Sequence, residues 1–156
     1  MKSVKRIPLV ELAVLLFAAW QSSDLPKAWQ HSPHDRLGWL ALLVWLAPLA
    51  RRLAGKGRHE FSANPCLLGA AILAGTLGEL TELHFFGHVA LALAAAAWIK
   101  ISWRSCLWLA TAVAWMPVFG WWLTEFSGGT VFALRLLLSI AGGICLWPKN
   151  NFANES

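Results

Sequence analysis

Two histidines four residues apart, His84 and His88, with Glu79 and Glu82 just upstream, are the closest approach to a metal site in this sequence. At that spacing both imidazoles leave one face of a helix, and imidazole with carboxylate suits a transition-metal ion. The favoured reading of the same residues is as interfacial polar groups bonded to loops. They would not hold a haem, because its axial ligands must oppose each other across the iron and no other apolar stretch contains a histidine. Arg135 is the costliest residue, since a charge within the hydrocarbon of a bilayer costs about 2.5–3.5 kcal/mol at mid-membrane. It lies about 7 Å below the outer edge of its helix at 1.5 Å per residue, within reach of Glu79, Glu82 or Glu125. A partner on the Glu79–Glu82 loop is expected. Glu11, the other charge inside an apolar stretch, falls near the opposite end, closer to Arg51, Arg52, Lys100 or Arg104. For each, a structural ion pair competes with contact to a substrate or partner.

The elements that must position these residues are apolar runs. Six stand out: Ile7–Trp20, Leu37–Leu49, Cys66–Leu77, Leu83–Ile99, Cys106–Leu123 and Thr130–Trp147. The chain of 156 residues is 58% hydrophobic and 13% charged, with a mean hydropathy of +0.56. A soluble domain carries about 25% charged residues, so that class is excluded. Eleven tryptophans and no tyrosine add a side chain favoured at membrane interfaces. The net charge of +5 is broken into short clusters between the runs, which excludes the continuous basic stripe of a nucleic-acid binder.

The last three runs approach the roughly 20 residues that cross a bilayer, and the first three reach about 17 when flanking Lys and Arg snorkel outward. The third, rich in Ala and Gly, is the shortest. With the N-terminus inside, the inner segments hold Lys2, Lys5, Arg6, Arg51, Arg52, Lys56, Arg58, Lys100, Arg104 and Lys149, and the outer ones only Lys27 and Arg36. That asymmetry fits six helices with both termini cytoplasmic, and five would destroy it. The fold expected is all-α: one polytopic transmembrane bundle over residues 1–147, with a polar cytoplasmic tail over 148–156. The first run is expected to be a retained helix rather than a signal peptide, as Ala18-Ala19-Trp20-Gln21 offers no small-x-small cleavage site.

Small residues four apart, at Ala71/Gly75, Ala74/Gly78, Ala90/Ala94 and Ala92/Ala96, allow close helix approach in lipid. The few residues joining the third and fourth runs require an antiparallel hairpin. Cys66, Cys106 and Cys145 all fall at inner helix ends, away from the outer polar residues His31, His34, Asp35 and Glu125. An odd number of thiols in a reducing compartment excludes a disulfide framework. None faces the outer polar cluster, where a thiolate would need a His or Arg neighbour for activation. No zinc-type cysteine pair, phosphate loop or dinucleotide fingerprint is present.

Four stretches between about Trp29 and Gly143 resemble the front part of the exosortase/archaeosortase family of polytopic membrane enzymes. They are the outer loop AWQHSPHDRLGW, the helix LVWLAPLARR closing on a basic pair, the entry NPCLLGAAIL, and the Trp–Pro segment LATAVAWMPVFGWW. The resemblance implies a membrane bundle whose outer face processes sorted surface proteins with a Cys, an Arg and a His. The family's Cys-Ser-Gly-type motif is missing and Arg135 falls in no family motif, so no catalytic residue is carried over. The expectation is a shortened, non-catalytic relative: an accessory or structural subunit of a complex in a bacterial-type cytoplasmic membrane. Its partners would be lipid and membrane proteins, with no cofactor and no nucleic acid. An exosortase-like peptide-processing enzyme, and a metal-binding or transport module built on the outer His/Glu cluster, are the alternatives.

Overall fold

The computed structural model describes residues 9–54 and 63–147. Over these the fold is all-α, with no strand among the described residues. Five of the six apolar runs coincide with single helices: α1 (Leu9–Gln21), α3 (Gly38–Ala54), α4 (Pro65–Thr81), α5 (His84–Ala96) and α8 (Gly128–Leu146). Of these, α8 is long and apolar enough to cross a membrane; α4 and α5 are apolar but shorter. The expected tail, and Lys2, Lys5, Arg6, Lys56, Arg58 and Lys149, lie outside the described residues.

Local chemistry sets the boundaries. Asn64 caps α4 by accepting from the backbone N–H groups of Cys66 and Leu67, with Pro65 at the first helical position, where its missing N–H costs nothing. Only Glu82 and Leu83 separate α4 from α5, and the reversal is made by Glu82 in the left-handed region (φ 56°). The hairpin that results is the most extensive helix–helix contact in the molecule. All eight small residues spaced for close approach are buried in it or beside it. A Cβ on Gly78 would press on the backbone of Gly87 at 3.2 Å.

The fifth run departs from a continuous span. It forms α6 (Trp103–Ala110), a 3₁₀ turn (Thr111–Trp115), extended Met116 and a short α7 (Pro117–Trp122). Pro117 is the cause. It lacks the N–H that would continue the helix, and its ring drives the preceding residue out of the helical region; Met116 sits at ψ 143°. The segment joining the first two runs departs in the other sense, since it contains a helix, α2 (Leu25–His31), with Pro26 in its first turn.

Hydrogen bonds sort the bundle into two ends. Gln21–Glu79, Ser22–Gly87, His88–Asp24 and Trp29–Trp115 join one end. Asn64–Ala97 and Arg52–Leu146 join the other. There Arg52 donates to the Leu146 carbonyl at 2.8 Å, which satisfies an orphan acceptor at the C-terminus of α8. Arg51 stacks 4.4 Å above Trp147. Between the ends sits an aromatic keystone. Trp45 and Trp108 stack at 4.0 Å, 6° from parallel, and each indole N–H donates to the other's backbone carbonyl at 2.9 Å. Trp115 tilts against Trp45 at 5.9 Å.

Candidate functional site

The helix break delivers the most unusual chemistry in the molecule. Interrupting the ladder at Pro117 leaves the Ala114 and Trp115 carbonyls without intrahelical donors, and buried carbonyls must find others. Arg135 of α8 donates from Nη1 to Ala114 at 2.8 Å, and Trp29 of α2 donates from Nε1 to Trp115 at 3.2 Å. Arg135 is only 1% exposed. Its Nη2 donates to the Asp35 carboxylate, and its guanidinium faces the Phe119 ring at 5.4 Å.

Asp35 belongs to the turn Ser32–Leu37, which folds inward because the Asp35 N–H bonds Ser32 O and the Gly38 N–H bonds Asp35 O. Burial pushes the Asp35 carboxyl above its ordinary value of 3.8, while the Arg135 guanidinium, the Ser32 hydroxyl and His34 work against that rise. A second, half-buried pair parallels the first. His88 of α5, 3% exposed, meets both Asp24 oxygens at 3.1 and 3.2 Å. Asp24 and Asp35 flank α2, so two carboxylates pin this strap across the bundle, one to α5 and one to α8. His88 Nδ1, Trp115 Nε1, Arg135 Nε and Ser139 Oγ are buried polar atoms without a partner among the described residues.

Several expectations are corrected by these contacts. Arg135 does not pair with Glu79, Glu82 or Glu125, which are exposed at the surface. The inward turn brings a nearer carboxylate than any helix-end glutamate. Glu11 is buried but meets none of Arg51, Arg52, Lys100 or Arg104; its Oε1 accepts from the Ala63 N–H at 3.3 Å. His84 and His88 part company: His88 bonds the loop residue Asp24, which fits the interfacial reading, and His84 lines a surface cleft of about 450 Å³ with Glu79 and Glu82. Among the described residues no three His, Cys, Asp or Glu side chains gather as a metal would require. Asp24, Trp29 and Trp115 are not among the residues singled out from the sequence, and Asp35 is there only as an outer polar residue without a partner. A clue lay in the sequence: two acids flanking a Pro- and Trp-containing loop, opposite a His and an Arg without nearby partners.

Gly120 makes room for the Arg135–Asp35 pair, since a Cβ there would collide with the carboxylate and the guanidinium. Gly120→Ala should therefore lower stability by about 1–3 kcal/mol, as overpacking does. Thermal unfolding in detergent measures this, and an unchanged midpoint would deny the close approach.

No family model, no curated protein and no solved structure matches this chain.

Proposed function

We propose that the protein is a six-span integral membrane protein of a bacterial-type cytoplasmic membrane, with both termini inside, serving as a non-enzymatic accessory subunit of a membrane complex. The observation that carries this reading is an inverted distribution of polarity. Leu16, Leu43, Leu73, Leu137 and Ile144 are exposed along the helix flanks, while Arg135, His88, Asp35, Glu11 and Ser139 are buried. An aqueous solvent would select the reverse, whereas lipid charges nothing for apolar flanks and much for exposed polar ones. Only about a third of α8 is buried inside the protein, unlike the core helix of a soluble fold. The broken fifth segment fits as well, because irregular backbone at membrane depth is tolerated where protein covers it, and Arg135 and Trp29 supply that cover. Among the described cations, Arg51, Arg52, Lys100 and Arg104 lie at one end, and Lys27 and Arg36 at the other.

The accessory role rests on the state of the outer end. Its buried ion pair, Arg135 with Asp35, is closed on itself, and the three cysteines belong to the end marked by Asn64, Ser102 and Leu146. Among the described residues no cysteine therefore lies beside Arg135 to act as the nucleophile of peptide processing. On this reading the chain is a shortened, non-catalytic relative of the exosortase/archaeosortase family; the loop and the Trp–Pro segment that carry that resemblance are joined through Trp29 and Trp115. Purification in mild detergent tests the role: a stoichiometric membrane partner should accompany the chain. Monodisperse protein without one, together with hydrolysis of a surface-protein sorting peptide, would replace the accessory reading by the enzymatic one.

A further inference from the structure

The strap borders a second cavity, whose lining includes neither the Arg135 nor the His88 pair. It measures about 530 Å³ and is lined by Pro26, Trp29, Gln30, Arg36 and Trp39. Two of its walls are rigid. The Trp29 indole is tied to the Trp115 carbonyl and fills the space a side chain on Gly38 would need, and Pro26 is fixed by its ring. Trp39, 45% exposed, forms the open side at the start of α3.

Charge accounting selects the ligand's sign. Asp24 and Asp35, the strap's own acids, are engaged by His88 and Arg135. Among the described residues Lys27 and Arg36 have no salt-bridge partner, and with Asp35 offset by Arg135 the strap's two cations outnumber its one remaining acid, Asp24, at an end otherwise marked by Glu79, Glu82 and Glu125. Arg36 offers a planar fork of donors matched to phosphate, and Gln30 adds an amide beside it. Below the cavity the outward face of α3 continues as Trp39, Leu43, Ala47 and Ala50, all exposed. This is an apolar track one helix turn per step, leading away from a polar pocket.

From this combination we infer that the cavity binds the phosphate-bearing headgroup of a membrane lipid, with its acyl chains laid along α3. Arg36 and Gln30 hold the phosphate, Trp29 and Pro26 shape the pocket, and Trp39 flanks the glycerol region at the interface. The inference rests on the membrane reading above.

Native mass spectrometry of the full chain, released from detergent containing phosphatidylglycerol, tests it. One retained phosphatidylglycerol per chain is expected, with diacylglycerol of the same chains retained far less. Arg36→Gln should lower occupancy about tenfold, the equivalent of one charge-assisted hydrogen bond, and Gln30→Ala should lower it less. Arg104→Gln, at the opposite end, should leave it unchanged. Equal retention by wild type and Arg36→Gln, or of diacylglycerol and phosphatidylglycerol, would overturn the site while leaving the membrane reading intact. Displacement of the lipid by millimolar inorganic phosphate would overturn the lipid as occupant. Recovery of the chain from cells without detergent would overturn the membrane reading and the lipid site together.

Discussion

Arg135→Ala should cost about 3–5 kcal/mol of stability, the usual penalty for breaking a buried pair from one side. It removes the partner of Asp35 and the donor to the Ala114 carbonyl together, stranding a carboxylate and a freed backbone acceptor in a region nearly closed to water. Arg135→Lys should lose less, since one ammonium can hold Asp35 but cannot also reach Ala114 with the geometry of a planar fork. Asp35→Ala should approach the loss of Arg135→Ala. The double substitution should cost clearly less than the sum of the two, because each single change leaves the other charge unpaired. Denaturant unfolding in detergent measures this cycle. Simple additivity would mean that the two side chains do not depend on each other.

The second large effect belongs to the tryptophan keystone. Trp108→Ala should cost about 3–5 kcal/mol, as large-to-small core changes do, since Trp108 is fully buried against Trp45. Trp108→Phe isolates the hydrogen bond. It keeps a ring in the stack but removes the N–H that satisfies the Trp45 carbonyl, for a loss of about 1–3 kcal/mol. The stacked indoles should also give a coupled near-ultraviolet circular dichroism signal, and either substitution should abolish it. A signal unchanged in Trp108→Phe would show that the pair is not stacked in solution.

Helices were legible in the sequence wherever the information is local. Apolar runs set the positions of α1, α3, α4, α5 and α8, and the small-residue spacing of α4 and α5 foretells their close packing. What escaped depends on contacts between residues far apart in the chain. Pro117 was in plain view, yet an apolar run conceals a broken helix as readily as a straight one. Asp35 stands beside Arg36 in the sequence, and only the inward turn at Ser32 sends it to a guanidinium a hundred residues away. His84 and His88 share a spacing that suggests joint ligation, but the strap delivers Asp24 to His88 first. The Trp45–Trp108 exchange of N–H and carbonyl has no sequence pattern at all, because it needs two helices set side by side.

The central claim is that this bundle spans a membrane with its Arg135 end outside and its Arg52 end inside. Labelling of intact cells with a membrane-impermeant maleimide tests it most directly, using single cysteines placed at Glu82, Glu125 or Arg104 in a cysteine-free chain. Glu82→Cys and Glu125→Cys should label in intact cells, and Arg104→Cys only after the membrane is opened. Labelling of Arg104→Cys and Glu125→Cys from the same side would contradict the topology and the arrangement of the two ends built upon it.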